Sequence, residues 1–336
     1  GGGWSFLSRS YGLGCDNVVG IEMVLANSSV VHVNPVNHAV SDVWWALRGG
    51  GGGNFGVVTA FDLQLVRPAP EMLVGELCWP PFSGAVRRLF ALWLDQWATM
   101  PRWLNVDPVW LPLGPNGSRL FCLTVACNNP DASACATAVS PFREVPNSTL
   151  DTLLWQPFLT WQMANVNATD AQTGRLYLKS GVLAPGALSL DTVGMLQTML
   201  ANAPSSRSLV LFHVGGGAIA DVAEDATAFP HRRAQLIIQV KAIWSDPSAA
   251  VAAANVAWVK GVFTRLLPNL SGAYVNYIDP DLGGWQTAYY GANYRRLQRV
   301  KFALDPTNFF RFQQSVQPLS DATTNCTARR GAAGVV

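Results

Sequence analysis

The sequence predicts an α+β protein of one large or two medium-sized domains. Its 336 residues, of which 49% are hydrophobic, are enough to bury a large core. Segments with helical spacing are set against strands of mixed length, without the regular strand and helix alternation of a parallel sheet. Short elements give way to longer ones after the Arg-Pro-Ala-Pro segment at 67–70. We therefore place a domain boundary there.

The first part of the chain carries short elements. Alternation of apolar and polar side chains predicts three strands, and helical spacing predicts one short helix. The first two strands form a hairpin around Asn27-Ser28, and Ser41 and Asp42 are candidate caps of the helix. The glycine run at 49–53 ends that helix. The predicted strands cover 18–26, 29–33 and 57–66, and the predicted helix covers 43–48.

Beyond the boundary the same patterns predict longer elements. Asp305-Pro306 stops the last helix, and 308–316 forms a closing segment. Predicted helices cover 83–100, 192–203, 249–267 and 289–304. Predicted strands cover 119–126, 209–214 and 235–244.

Composition excludes two classes of partner. Charged residues make up 13% of the chain, and 23 basic side chains nearly balance 21 acidic ones. The resulting net charge of +2 supplies no field to gather phosphates, so we expect no nucleic-acid partner. The longest uncharged apolar stretches, such as 209–220, are too short for a membrane span, which needs about 20 residues. We therefore expect a soluble protein.

Cysteine and asparagine usage indicates secretion or exposure at the cell surface. The six cysteines include no C-x-x-C pair, and their even number fits an oxidising compartment. Six N-x-[ST] glycosylation motifs point the same way. The cysteines are Cys15, Cys78, Cys122, Cys127, Cys135 and Cys326, and the candidate glycosylation sites are Asn27, Asn116, Asn147, Asn167, Asn269 and Asn325.

The common catalytic motifs are absent or misplaced. Residues 51–56 match G-x-G-x-x-G, but a dinucleotide-binding turn follows a strand and opens a helix, whereas here a helix precedes and a strand follows. The four histidines lack metal-ligand spacing, so we predict no metal site. No G-x-S-x-G serine-hydrolase motif is present.

A resemblance explains the glycine clusters. Several segments, in the same order along nearly the whole chain, resemble the berberine-bridge-enzyme-like family of FAD-linked oxidases. They are GGGWSFLSRSYGLGCDNVV (1–19), DVWWALRGGGGGNFGVVT (42–59), TAFPHR (227–232), YVNYID (274–279), YYGAN (289–293), Val300-Lys301 and Asp305-Pro306.

The resemblance implies a two-domain flavoprotein with an FAD-binding domain of the vanillyl-alcohol-oxidase type. Residues 1–70 would be the second half of that domain, 71–273 a substrate domain with an antiparallel sheet and flanking helices, 274–320 a segment that returns to the flavin, and 321–336 a tail. The His and Cys that bond covalently to FAD in the family precede these segments and are not in this chain. Cys15 does not replace them and is expected to be a small buried thiol. We therefore expect an N-terminal fragment of the same protein as a partner.

The resemblance also implies site residues. Tyr277 matches the position of an active-site base or its partner, and Gln239 matches a polar group over the flavin. Period two puts Ile237 and Lys241 on the same strand face as Gln239. Relatives that oxidise lignin-type alcohols carry a lysine where this chain has Ile237. The positions matching cofactor contacts are Gly1, Gly2, Gly3, Asn17, Val18, Val19, Tyr289, Tyr290 and Asn293, while His231 and Arg232 are expected to be structural.

Three functions remain open on the sequence. Tryptophan rings stack well on sugars, and 13 tryptophans, among them Trp103, Trp110, Trp155 and Trp161, favour an oxidase that takes a carbohydrate hemiacetal to a lactone while O2 becomes hydrogen peroxide. Oxidation of an aromatic or other secondary-metabolite alcohol is the alternative substrate class. A noncatalytic surface or matrix glycoprotein without flavin is the alternative from another class.

Overall fold

The computed structural model of the chain describes residues 1–36, 41–112, 118–170 and 174–319. The predicted tail at 321–336 lies outside these residues. Within them, helices and two antiparallel sheets confirm the α+β class. The helices are α1 (Ser8–Tyr11), α2 (Ser41–Leu47), α3 (Gly84–Gln96), α4 (Ala132–Arg143), α5 (Phe158–Asp170), α6 (Leu190–Ala201), α7 (Ala249–Leu266), α8 (Trp285–Tyr290) and α9 (Tyr294–Leu304). The strands are β1 (Val18–Val24), β2 (Val30–Val33), β3 (Val57–Leu63), β4 (Met72–Trp79), β5 (Leu104–Leu111), β6 (Leu120–Cys127), β7 (Leu150–Asp151), β8 (Leu154–Gln156), β9 (Arg175–Leu183), β10 (Leu209–Val214), β11 (Leu236–Trp244) and β12 (Leu270–Gly272).

The small sheet has the order β2-β1-β3. The predicted hairpin is present, and its turn carries Ser28 at a φ of 68°. Helix α2 begins at Ser41, so Ser41 and Asp42 lie in its first turn rather than before it. Strand β3 forms the edge and exposes Phe61 and Leu63 to more than half of their surface. Residues 51–56 lie between α2 and β3. A dinucleotide-binding turn runs from a strand to a helix, so this helix-to-strand connection does not have that geometry.

The large sheet has the order β12-β9-β11-β10-β5-β6-β4-β7, and β8 also pairs with β4. The predicted boundary at residue 70 lies between the two sheets. On β11, Ile238 and Val240 face a hydrophobic core. This core lies under α3, α6 and α7 and includes Phe90 and Trp110. The alternate residues of each strand form the opposite face, where Gln239 lies. That face is the candidate site.

Residues 1–16 pack against one end of the large sheet. The Arg9 guanidinium on α1 is buried and donates to the carbonyl oxygens of Met100, Leu104 and Gly215. Burial lowers the pKa of Arg9 to about 10, which leaves it charged at neutral pH. This cation therefore fixes the N-terminal residues against the strands that carry the site.

The last helical region differs from its prediction. One helix was expected over 289–304, but α8 ends at Tyr290 and α9 begins at Tyr294. Gly291 causes the break, since its φ of 51° lies outside the helical region. The break turns the chain so that α9 packs near α2 and α8 packs near β12.

Helix α7 and its extension, Ala249–Asn269, have the length and apolar composition of a membrane span. However, Trp258, Val262 and Leu266 of this helix are buried in the core under the large sheet. The segment therefore packs as a core helix.

Four of the six cysteines form disulfides. Cys78 bonds Cys122 across β4 and β6, and Cys127 bonds Cys135 between β6 and α4. Cys15 is a buried free thiol, as expected, and burial raises its pKa to about 11. At neutral pH it is therefore a protonated packing residue and not a reactive thiolate.

Candidate active site

The open face of the large sheet carries a row of polar side chains. Register pairs Glu76 with Thr124, and Thr124 with Asp107. The hydroxyl of Thr124 donates to the Glu76 carboxyl group, at 2.9 Å from Oε2. Next to this row, Gln239 pairs with Leu211 on one side and with Ser180 on the other. Within the described residues the Gln239 amide makes no hydrogen bond, which leaves it available to a ligand.

The segment after β12 crosses this face and brings Tyr277 to it. The backbone N–H of Tyr274 donates to the Ser180 hydroxyl at 3.1 Å, which fixes the segment over β9. The Tyr277 hydroxyl then lies 2.9 Å from Nε2 of His213, on β10. His213 pairs with Ile237, two residues before Gln239 on the same face. The two predicted catalytic residues, Tyr277 and Gln239, are thus held on one surface.

An acidic side chain lies behind His213. Oδ2 of Asp107 is 3.8 Å from Nδ1 of His213, and Oδ1 accepts a hydrogen bond of 2.9 Å from the backbone N–H of Val214. Tyr277, His213 and Asp107 therefore follow one another in a line across the face. Burial, with smaller contributions from Tyr274 and Asp107, raises the pKa of Tyr277 to about 12.

The glycines at the start of the chain meet the same segment. Tyr274 Oη accepts from the N–H groups of Gly3 and Trp4 at 3.1 and 3.3 Å, and Nδ2 of Asn276 donates to the Gly1 carbonyl at 2.8 Å. A Cβ on Gly1 would meet the end of the exposed Asn276 side chain, which would have to move to make room. Gly3 and the Asn276 side chain are exposed beside Tyr277.

These residues fit one side of a flavin site. An exposed backbone without side chains allows a planar ring to approach closely, and the exposed Asn276 amide can bond its polar edge. From this chain, the exposed Gly3 and Asn276 would hold FAD. Gly1 is half-buried and Gly2 is buried, and the predictions that they contact the cofactor stay predictions.

Other residues predicted to bind cofactor are engaged inside the protein. Tyr289 and Tyr290 are almost fully buried, and their hydroxyls bond the Asp279 N–H at 2.9 Å and the Gly50 carbonyl at 3.1 Å. They therefore support the YVNY segment and the glycine run, and the prediction that they contact the cofactor stays a prediction. Nδ2 of Asn17 donates to the carbonyls of Tyr11 and Leu13, which shapes the turn before Val18.

Two predicted residues keep open surface. Val19 is exposed on β1 and Val18 is half-buried. Asn293 donates through Nδ2 to the carbonyls of Glu224 and Thr227, at 2.9 and 3.3 Å, and it lines a cavity of about 830 Å³. The predictions that these three residues contact the cofactor stay predictions.

His231 and Arg232 make structural contacts. The Arg232 guanidinium is buried and binds both carboxylate oxygens of Asp16, at 2.7 and 2.8 Å. Burial lowers the pKa of His231 to about 4, so it is neutral at pH 7 and donates from Nε2 to the Ala288 carbonyl at 3.0 Å. Both side chains tie the TAFPHR segment to its neighbours.

The tryptophans do not form the expected sugar-stacking surface. Trp103, Trp110 and Trp155 pack against the core on the opposite side of the large sheet. Trp161 lies on the side of the site but is buried against Phe6 and Phe158. These four tryptophans therefore serve core packing.

The structure separates the candidate glycosylation sites. Asn27 and Asn147 are exposed in turns, whereas Asn269 is half-buried and donates from Nδ2 to Thr192. Asn116, Asn325 and the side chain of Asn167 lie outside what the structure describes. Only Asn27 and Asn147 are thus seen as open acceptors.

One cluster has the residue types of a metal site. Among the described residues, ligand atoms of Glu76, Cys78 and Cys122 lie within 4.8 Å of one another. The two sulfurs are bonded to each other, so they are not available as thiolate ligands.

The sequence alone missed five residues of this site: Glu76, Asp107, Thr124, His213 and Asn276. All except Asn276 lie on strands, where only register reveals their neighbours. The one signal for Asn276 was its place inside the YVNY motif, between Tyr274 and Tyr277.

Comparisons with known proteins place this chain among FAD-linked oxidoreductases. Residues 273–317 match the family model described as "Berberine and berberine like". The chain is 30% identical over 325 residues to an uncharacterised FAD-linked oxidoreductase, YgaK, of Bacillus subtilis (strain 168), covering 95% of this chain and 69% of the relative. It therefore belongs to the berberine-bridge-enzyme-like family of FAD-linked oxidoreductases. The members of this family are enzymes, and this chain is one of them.

Solved structures show the same fold. Phl p 4, a grass pollen allergen with glucose dehydrogenase activity, superimposes with a TM-score of 0.80 at 24% identity, over 95% of this chain and 69% of the allergen. A berberine bridge enzyme variant titled a reticuline dehydrogenase gives a TM-score of 0.80 at 22% identity, over 95% and 69% of the two chains.

Proposed function

We propose that this protein oxidises an alcohol with FAD as the electron acceptor, and that Tyr277 takes the proton of the reacting hydroxyl. The observation that carries the proposal is the Tyr277 hydroxyl, fixed on the sheet face with Gln239, in a segment whose Asn276 and Tyr274 bond the backbone of Gly1 and the exposed Gly3. FAD, when bound, supplies an acceptor for the two electrons of the oxidation.

The residues of this chain bind and orient the alcohol. A hydroxyl near Tyr277 can donate to Tyr277 Oη, and the Gln239 amide can bond the same oxygen or its neighbour. The pKa of Tyr277, raised to about 12, makes the free phenolate rare at neutral pH, so proton removal has to occur together with oxidation.

The substrate we favour is a carbohydrate, oxidised at its anomeric hydroxyl to a lactone, with O2 reduced to hydrogen peroxide. The polar row formed by Glu76, Thr124, Asp107 and His213, with Gln239 beside it, supplies the donors and acceptors that several sugar hydroxyls need. Burial raises the pKa of Glu76 to about 8, so its carboxyl group is mostly protonated at pH 7 and can donate. The glucose dehydrogenase activity in the description of Phl p 4 supports a sugar as the substrate and does not bear on the use of O2.

An aromatic or other secondary-metabolite alcohol is the second candidate. Beside the polar row, the same face carries a partly buried apolar patch against the disulfide Cys78–Cys122. A flat apolar molecule would bury this patch. The patch consists of Val109, Leu111, Leu120, Leu150 and Leu211.

The test is reduction of the bound flavin under anaerobic conditions with glucose, cellobiose and coniferyl alcohol as separate substrates. Flavin bleaching by a sugar supports the carbohydrate proposal, and bleaching by coniferyl alcohol alone supports the second candidate. Tyr277→Phe should slow bleaching by about 10² to 10⁴, because the proton acceptor is lost. The matched control is Tyr294→Phe, a change of the same chemistry at a half-buried hydroxyl bonded to the Gln317 backbone. Equal rates in Tyr277→Phe and wild type would remove Tyr277 from the mechanism.

We also propose that an N-terminal fragment of the same protein completes the flavin-binding site. Strand β3 supports this, because it is an edge strand that exposes Val57, Phe61 and Leu63, and Leu65 follows it with 82% exposure. Exposed apolar edges of this kind mark interaction surfaces.

Secretion is the compartment we propose. Two disulfides and the exposed Asn27 and Asn147 support it, since disulfides persist in oxidising compartments. Peptide mass spectrometry of native protein should find glycan on both asparagines and none on Asn269, and unmodified Asn27 and Asn147 would count against this compartment.

A further inference from the structure

Tyr277 needs a proton acceptor of its own. A phenol whose pKa lies far above neutrality keeps its proton at pH 7, so its oxygen can take a substrate proton only as it releases the one it holds. The group that receives this second proton must lie within hydrogen-bond reach of Oη. Among the described residues, Nε2 of His213 is the atom hydrogen-bonded to Oη of Tyr277.

We propose that His213 and Asp107 form a proton relay behind Tyr277, in which Tyr277 passes its proton to Nε2 of His213 as it receives the proton of the substrate hydroxyl. The relay rests on the proposed function, in which Tyr277 contacts the substrate. His213 and Asp107 act through Tyr277 and are positioning residues.

The geometry favours the tautomer that the relay requires. Nε2 can receive a proton only if the neutral ring carries its hydrogen on Nδ1. Asp107 favours that form because its Oδ2 lies 3.8 Å from Nδ1, close enough for a strong charge interaction although too long for a direct hydrogen bond. Oδ1 is held by the Val214 N–H, which keeps the carboxylate facing the ring.

Asp107 also stabilises the product of the transfer. When Nε2 takes the proton, the ring becomes a cation beside a carboxylate that is only 10% exposed, where charge attraction is stronger than in water. This is the role that a buried aspartate plays behind a catalytic histidine in other hydrogen-bonded triads.

The other titratable groups around the relay are compatible with it. Arg9 on α1 and Glu76 on β4 both interact with Asp107. Arg9 adds a positive charge near the relay, and Glu76, whose pKa is raised by burial to about 8, adds little negative charge at pH 7. Tyr274 lies edge-on to the Tyr277 ring, with centroids 5.2 Å apart, and burial raises its pKa so that it stays neutral.

Protons and electrons balance in this scheme. The substrate O–H bond breaks as a new O–H bond forms on Tyr277, and the former Tyr277 proton ends on Nε2 of His213. FAD, when bound, would accept the carbinol hydrogen together with the electron pair of the C–H bond, as a hydride, while the carbon–oxygen double bond forms. The imidazolium then returns its proton to solvent, which the partly exposed ring allows.

The kinetic test compares His213→Gln and Asp107→Asn with wild type. Glutamine can still accept the Tyr277 hydrogen bond but cannot take up the proton, so we expect kcat to fall about 10²-fold with KM nearly unchanged. In the wild type, a protonated His213 ring cannot accept the Tyr277 proton, so kcat/KM should fall on the acidic side. His213→Gln has no such ring, and we expect its profile to lack this acidic limb. Asparagine keeps the acceptor for the Val214 N–H, so Asp107→Asn should fold. We expect it to lower kcat less than His213→Gln does. An unchanged acidic limb in His213→Gln would overturn the relay.

The matched control is His32→Gln. His32 forms the same kind of pair with Asp62, at 2.8 Å, but on the exposed small sheet away from the site. This variant should keep both kcat and the pH profile of wild type.

A second test does not depend on turnover. In the full chain labelled with ¹⁵N-histidine, the ring signals that disappear in His213→Gln belong to His213. We expect them to report hydrogen on Nδ1 and an accepting Nε2, to shift toward the other tautomer in Asp107→Asn, and to shift at Nε2 in Tyr277→Phe. A wild-type ring with hydrogen on Nε2, unchanged by Asp107→Asn, would overturn the relay even if the variants lose activity.

Failure of the relay and failure of the proposed function give different results. If Tyr277→Phe is inactive while His213→Gln keeps the wild-type kcat and profile, the relay is wrong and the proposed function stands. If Tyr277→Phe turns over like wild type, the proposed role of Tyr277 is wrong, and the relay falls with it.

Discussion

Lys301 is a buried cation that holds the segment after α9 against the residues before β3. Its ammonium is fully buried and donates to the Asn54 carbonyl, to Asp305 Oδ2 and to the Phe310 carbonyl, at 2.7, 2.7 and 2.6 Å. Asp305 in turn accepts from the N–H groups of Phe309 and Phe310. Burial alone would raise the pKa of Asp305, but these hydrogen bonds and the Lys301 charge lower it.

Lys301→Met should therefore destabilise the protein strongly. It leaves a buried carboxylate without its cation and two carbonyls without a donor, which costs about 3 to 5 kcal/mol. The control Lys260→Met removes a half-exposed pair with Asp281 and should cost no more than about 1 kcal/mol. Urea unfolding at pH 7 measures the loss of unfolding free energy in each variant. Equal losses in Lys301→Met and Lys260→Met would show that the Lys301 network is not stabilising.

The pH dependence follows from the direction of the Asp305 shift. Because the folded pKa is lowered, the pair contributes stability above the ordinary carboxyl value, about 3.9, and loses it as pH falls through the lower folded value. The difference in unfolding free energy between wild type and Lys301→Met should accordingly narrow below about pH 4.

At the scale of elements, local patterns were predictable and register was not. Strand β10 has its predicted bounds, and α6 and α7 begin after Ser189 and Ser248, whose hydroxyls accept from the first turn. These features depend on side chains a few positions apart. The contact between His213 and Tyr277 joins residues 64 positions apart, so it exists only once β10 and the segment after β12 meet. A family motif indicated Tyr277, but no spacing could indicate its partner.

The break between α8 and α9 shows why an uninterrupted helical pattern can mislead. Apolar spacing continues through YYGANYRRL, so only the backbone freedom of Gly291 permits the turn. Gly291→Ala should cost about 1 to 3 kcal/mol, because an L residue is strained at a φ of 51° even though Pro230 leaves space for a methyl group.

Gly194→Ala is the matched control for that change. Gly194 lies inside α6 with open space where its Cβ would be, so alanine should be neutral or stabilise the helix by up to about 1 kcal/mol. The melting temperature of Gly291→Ala should fall below that of wild type, whereas that of Gly194→Ala should stay the same or rise. If Gly291→Ala behaves like Gly194→Ala, the break does not depend on the glycine.

At the scale of the whole molecule, the two sheets have unequal protection. The large sheet has one face covered by α3, α6 and α7 and the other crossed by the YVNY segment. The small sheet leaves β3 exposed along nearly all of its length. We proposed that an N-terminal fragment covers β3 and completes the flavin site, so retention of the cofactor should depend on that contact.

This dependence can be tested by placing a charge on β3. Phe61→Asp should weaken association with the N-terminal fragment, because a carboxylate would have to lose its hydration in an apolar interface. The protein should then elute from a sizing column without flavin absorbance, while its melting temperature stays near that of the flavin-free wild type. Leu267→Asp, at a similarly exposed leucine directly after α7, should keep the flavin. If both variants keep it equally, β3 is not the surface that completes the cofactor site, and the fragment must bind elsewhere.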